Sequence, residues 1–172
     1  LTSPPAGTAT NAAAVAVSGT AEDGATVRIL VDGAQVATAT ATGGAFSASA
    51  PLPPADGDAV ITALAVDAAG NVSPASVPVT VTVDRTAPAL PVISAPAAGA
   101  VVATSSVVAT GSAEAGAAVL VTGDGGEIGA VVVQPDGTFQ ATLTLPDGAR
   151  TVTVRATDAA GNFAETTRSF TV

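Results

Sequence analysis

The chain repeats itself. "GTAEDGATV" at 19–27 is answered by "GSAEAGAAV" at 111–119, an offset of 92, and "GGAFSASAPL" at 43–52 by "DGTFQATLTL" at 136–145, an offset of 93. "DAAGN" at 67–71 returns letter for letter at 158–162, an offset of 91. Self-similarity at a fixed long period is what tandem copies of one folding unit leave in a sequence. Small drifts in the offset are what loop insertions produce, and "LPPADG" (52–57) against "LPDG" (145–148) is one. Whatever folds must therefore fold twice within 172 residues, each copy large enough for a modest core. The expected division is a first domain over 1–83, a linker over 84–88 and a second domain over 89–172, joined around "TVDRTAPALP".

Each copy reads as β-structure. "TVRILV" (26–31) alternates and puts Val27, Ile29 and Val31 on one face; "VPVTVTV" (77–83) does the same for Val77, Val79, Val81 and Val83. "AVITALAVD" (59–67) is apolar on both faces. Its partner "RTVTVRATD" (150–158) fixes the register and turns Ile61, Ala63 and Ala65 inward. Asp-Gly, Gly-Gly and Pro-Asp-Gly turn signals punctuate the chain every 8–12 residues, and no stretch sustains a helical period. About seven short strands per copy predict an all-β chain of two tandem immunoglobulin-like Greek-key sandwiches, without the Cys and Trp hallmarks.

Composition narrows the chemistry. Fourteen acidic residues face five arginines and no lysine, a net charge of -9, which is the wrong sign for a nucleic-acid partner. No cysteine means no disulfide and no thiolate metal site. No histidine removes the usual general base and the commonest transition-metal ligand. No apolar run approaches the ~20 residues that span a bilayer. No signal-like segment opens the chain at Leu1, so it reads as an excised piece of something larger.

The strand order also gathers the loops. With strands running alternately down and up, "AEDG", "TGGA" and the first "DAAGN" share one pole, while the Asp-Gly turns at Asp32 and Asp56 lie at the other. In the second copy "AEAG", "QPDG" and "DAAGN" gather beside the incoming linker, which brings Asp84, Glu114 and Asp158 together. Carboxylates about 4 Å apart repel by roughly 4 kcal/mol per pair at an effective dielectric of 20. They stay apart in water, or one is protonated, or a cation holds them. Calcium suits such a set, since it takes six to eight oxygens in flexible geometry, whereas zinc and copper want His or Cys. A plain turn also accounts for "DAAGN", with Asp capping the loop and Gly at positive φ, and it is compatible with a calcium role. Asp56, Asp58 and Asp147 sit at Asp-Gly turns and read as turn formers.

"VDRTAP", "GSAEAG" and "DAAGN", in that order and spacing, resemble the bacterial immunoglobulin-like repeats of giant secreted adhesins and biofilm-associated proteins. The resemblance covers nearly the whole chain. It implies a β-sandwich extender strung in arrays with neighbouring repeats of its kind, monomeric, extracellular or on the bacterial cell surface, with calcium at the domain junctions. Carried over residue by residue, it implies Asp84 and Thr86 (through its backbone carbonyl) in the linker, with Glu114 and Asp158; Asn162 contributes or orders the turn. In the first domain Glu22 and Asp67 remain, but matching Gly7 to Gly99 leaves no counterpart of Asp84, so they form an incomplete half-site.

Three functions compete. The leading expectation is a non-enzymatic spacer stiffened by calcium and serving adhesion or biofilm formation. A ligand-binding module for a glycan or host protein is the alternative, against which stands the lack of Trp and Tyr. Phe163 is the one aromatic placed to serve it, and it reads as a core residue. An enzyme is expected least, because the acids sit at loop tips with no residue to hold a substrate.

Overall fold

The computed structural model describes residues 1–124, 126–132 and 134–172, for 127–130 and 132 the backbone course only. It is all β, and the chain divides into two compact units, Leu1–Arg85 and Thr86–Val172. The boundary falls inside "VDRTAP": Asp84 and Arg85 go with the first unit and Thr86 with the second.

The first unit holds β1 (Thr8–Thr10), β2 (Ala14–Thr20), β3 (Thr26–Val31), β4 (Ala34–Thr40), β5 (Ala45–Pro51), β6 (Gly57–Val66) and β7 (Val79–Val83). One sheet runs β1-β7-β6-β3-β4; the other pairs β2 with β5 and is extended by a bridge between Ser3 and Ser18. The N-terminal strand thus begins on one sheet and crosses at Pro4, and β1 then lies parallel to β7 on the other sheet. The second unit repeats the plan with β8 (Val92–Ala95), β9 (Ser106–Ser112), β10 (Ala118–Gly123), β11 (Gly126–Val132), β12 (Thr138–Thr144), β13 (Ala149–Thr157) and β14 (Phe163–Thr171). Its sheets are β11-β10-β13-β14 and β12-β9-β8. Here Val101 makes the parallel bridge, to Thr171. Two immunoglobulin-like sandwiches in tandem follow.

Period-2 alternation builds each core. Val27, Ile29 and Val31 of β3 are buried, with Ile61 and Ala63 of the adjacent β6 beside them, and they pack in one core with Val17 and Phe46 of the β2–β5 sheet. The second core gathers Val107, Val119, Val121, Leu143, Val152 and Val154. Each fully buried side chain of this kind stabilises by about 1.5–3 kcal/mol, so small cores of many aliphatics suffice without tryptophan. Among the described residues no polar or charged side chain is buried.

Two expectations fail for reasons of pairing. Val77 does not join Val79, Val81 and Val83 on the inner face; it is 82% exposed. Pro74 and Pro78 supply no N–H, so the regular strand begins only at Val79. Serines replace the missing ladder. Ser73 and Ser76 donate backbone N–H groups to the Ala65 and Ala63 carbonyls, and their hydroxyls accept the N–H groups of those same residues. Phe163 does not enter the core either and is 49% exposed. It sits at an outward position of β14, in register with Thr157. The Arg155 guanidinium lies 3.8 Å over its ring, and Arg155 Nε is 2.9 Å from Glu165 Oε1.

Candidate functional site

The two "DAAGN" segments close after β6 and before β14 with the same internal bonding. Asp67 Oδ1 accepts the N–H groups of Ala69 (2.9 Å) and Asn71 (2.8 Å), and Asp67 Oδ2 accepts the Asn71 side-chain amide at 2.7 Å. Asp158 Oδ1 accepts the N–H groups of Ala160 (2.9 Å) and Asn162 (2.8 Å), and Oδ2 accepts the Asn162 amide at 2.9 Å. Each Asp N–H returns a bond to the Asn carbonyl, and Gly70 and Gly161 take φ of 88° and 92°. Three letters of the motif have work in this turn: Asp caps, Gly adopts the left-handed region that a Cβ disfavours, Asn closes both ends. The recurrence of Asp, Gly and Asn is explained locally.

Electrostatics follow from that bonding. The Asn71 side-chain and backbone N–H groups hold the Asp67 carboxyl below its usual range, with Ala69 and Gly70 adding to it. For Asp158 partial burial pushes upward, but the bonds from Asn162, Ala160 and Gly161 outweigh it and the net is downward. Both are ionised at neutral pH. An ionised carboxylate offers about four lone-pair sites. Three are used by the bonds above, and the Gly70 and Gly161 N–H groups act on the same carboxylates as well.

In the first unit the loops do converge. Gly43 N–H donates to Asp23 Oδ1 at 2.7 Å and Ala21 N–H to the Gly44 carbonyl at 3.2 Å, locking "AEDG" to "TGGA". Glu22 shares a shallow cleft of about 240 Å³ with Asp67 and Asn71. In the second unit Ala113 N–H donates to the Gly137 carbonyl at 3.0 Å, joining "AEAG" to "QPDG". Glu114 Oε2 accepts the N–H of Ala89 at 3.2 Å, so the incoming segment is seated on this turn. Asp136 in "QPDG" is held low by the Thr138 hydroxyl and N–H. Asp84 belongs to the first unit, where its N–H extends the β1–β7 pairing by donating to the Thr10 carbonyl at 3.0 Å. Thr86 is exposed in the second unit. Among the described residues no group of three acidic side chains lies close enough together to hold a metal ion.

Two features escaped the sequence reading. Gly19 of β2 stands opposite Phe46 of β5, and Gly111 of β9 opposite Phe139 of β12. A Cβ at Gly19 would come within 2.8 Å of the Phe46 ring, and one at Gly111 within 2.7 Å of Phe139. The first letter of each "G-T/S-A-E" is thus a seat for a phenylalanine, and the signal was that both members of the pair recur in both copies.

Residues 94–172 match the family model described as bacterial Ig domain. The second unit is a bacterial Ig domain. The first unit, over residues 1–85, matches the model of glucodextranase domain B. No curated protein matches the chain. Among solved structures, this tandem carrying a bacterial Ig domain is similar to a tetra-tandem repeat from the extending region of a large adhesion protein. Identity there is 24% and the TM-score 0.42, over 93% of this chain and 45% of that one, so this chain spans less than half of that structure. A chimeric titin Z1Z2 tandem shares 16% identity at a TM-score of 0.33, over 97% of this chain and 93% of its own. A membrane-anchored protein from Corynebacterium diphtheriae shares 16% at 0.36, over 90% and 48%. Among the described residues, no helix is long and apolar enough to cross a membrane.

Proposed function

We propose that this tandem is a non-enzymatic spacer of a bacterial surface or secreted adhesin, strung with neighbouring Ig-like repeats and serving adhesion or biofilm formation. In this reading calcium stiffens the junction, held by Asp84, Glu114 and Asp158 with the Thr86 carbonyl, while Asn162 orders the turn. The observation that carries it is the seating of the incoming segment on Glu114, whose carboxylate accepts the Ala89 N–H. That bond brings the segment after Thr86 to an acid on the pole where the ionised Asp158 carboxylate lies. A hard cation satisfied by carboxylates and carbonyls fits these donors. Glu22 and Asp67 share a shallow cleft and are proposed as a weaker half-site.

Extracellular calcium modules bind at ~10⁻⁴–10⁻³ M. If calcium binds the docked pair and not the splayed one, free calcium 100-fold above Kd adds about 2.7 kcal/mol to docking. A docked-to-splayed ratio then shifts by roughly 100-fold. Small-angle scattering tests this: chelation widens the spread of interdomain distances while circular dichroism shows both sandwiches folded. Asp84→Ala reproduces the change with calcium present. Scattering profiles that neither chelation nor Asp84→Ala alters sink the calcium junction.

The exposure of Phe163 favours one second reading, a ligand-binding module that uses this ring as its anchor. Saturable binding to a glycan array, lost on Phe163→Ala, would replace the spacer with that module.

A further inference from the structure

The segment between the domains carries a cation whose use the calcium reading leaves untouched. Arg85 Nη1 donates to the carbonyls of Pro53 at 2.9 Å and Pro54 at 3.1 Å, and Nη2 donates to the Ala12 carbonyl at 3.0 Å. Its backbone N–H donates to Asp56 Oδ1 at 2.8 Å. One residue earlier, the Asp84 N–H is bound to Thr10. The acceptors come from two loops far apart in sequence, both at the end of the first domain where the chain leaves it.

The second domain builds the same pole without a borrowed residue. There Arg150, at the start of β13, donates Nε to the Pro146 carbonyl at 2.6 Å and Nη2 to the Asp147 carbonyl, with Nη1 3.3 Å from Asp124 Oδ2. In both domains a guanidinium ties off carbonyls of the proline loop that precedes the long central strand. In the first, "LPPADG" has no arginine of its own and takes the one from "VDRTAP".

We propose that Arg85 is the anchor that fixes the interdomain segment to the first domain, independently of any metal. A guanidinium suits the task because its planar fork presents several donors at fixed angles to several carbonyls at once. An ammonium is a point donor on a flexible stem and holds fewer of them. The anchor also positions Asp84, since the backbone on both sides of its carbonyl is then bonded to the domain. This goes beyond the calcium junction and stands if that junction fails.

The chain reports on the anchor itself. It has no lysine, and of its five arginines the other four lie in strands β3, β13 and β14. Among the described residues Arg85–Thr86 is therefore the one tryptic bond outside a strand. Cleavage of a folded protein follows the population of the locally opened state. Limited trypsin digestion of the whole chain, with and without a calcium chelator, should leave that bond largely intact. Arg85→Lys keeps a tryptic residue but loses at least one charge-assisted bond, so cleavage there should speed up about tenfold or more. Thermal melting of the variant shows whether both domains remain folded. Equal cleavage of wild type and Arg85→Lys overturns the proposal, and faster cleavage of wild type on chelation overturns its independence of metal. Where the lysine variant misfolds, amide exchange of the wild type decides: slow exchange at Asp84 and Arg85 supports the anchor, and free-peptide rates overturn it.

Discussion

Gly111→Ala should cost the second domain far more than Gly19→Ala costs the first, though the two glycines are equivalent in the repeat. At Gly111 the new Cβ would lie 2.0 Å from the Val92 carbonyl oxygen, a backbone atom. Real Cβ contacts stay beyond 3.0 Å, so the strand must retreat by about 1 Å. That strand is β8, irregular between Ile93 and Ala95, and its pairing with β9 places Ile93 opposite Gly111. Ile93 is 2% exposed, so pushing β8 away loosens a core residue. Losing an isoleucine's packing costs about 2–5 kcal/mol, and the stiffer unfolded chain returns only about 0.4–1 kcal/mol. At Gly19 the nearest obstacles are Phe46 ring atoms at 2.8 and 2.9 Å, and the backbone of Leu1 is 3.3 Å away. A ring can tilt, so overpacking of about 1–3 kcal/mol is the ceiling there. At 4–8 °C per kcal/mol, Gly111→Ala lowers its domain's Tm by roughly 5–35 °C and Gly19→Ala by at most about 20 °C. Methyl NMR signals followed through thermal unfolding of the whole chain read the two domains separately. A second substitution sharpens the test. Phe46→Leu should restore much of the loss in Gly19→Ala, whereas Phe139→Leu should restore little in Gly111→Ala, because the carbonyl remains. Equal losses, or full rescue by Phe139→Leu, would refute the reasoning.

Acid should weaken both domains below about pH 4. Asp67 and Asp158 have folded-state pKa values below their ordinary 3.8, so the stability they contribute is present above that value and is lost as pH falls through the lower folded one. A pH series of chemical denaturation checks it, and Asp158→Asn should flatten the acid limb of the second domain. Phe163→Ala should destabilise by only about 0.5–1 kcal/mol, the scale of an exposed cation–π contact, against about 3–5 for Phe170→Ala in the core; similar losses would contradict the outward position of Phe163. In the calcium reading Asp158→Ala should remove the tightest calorimetric step, while Asp67→Ala leaves it unchanged; the reverse order would move the site to the first domain.

The architecture was legible in the sequence because its signals are local or repeated. Alternation in "TVRILV" states which side chains share a face, and the duplication let "RTVTVRATD" assign the register of a strand that is ambiguous alone. "DAAGN" was legible as a turn because the Asp–Asn bonds that build it close within five residues. Tertiary structure alone decided which face of β14 meets the core, and so that Phe163 looks outward. Alternation defines two faces but not which is inside, and the inner one here carries Ala164, Thr166, Arg168 and Phe170. It alone decided the exposure of Val77, since prolines deny the strand its ladder and serines from the same segment supply another. The acceptors of Arg85 were out of reach for the same reason: carbonyls at residues 12, 53 and 54 carry no side-chain signal. Every residue owns a carbonyl, and only the folded chain selects the three that converge.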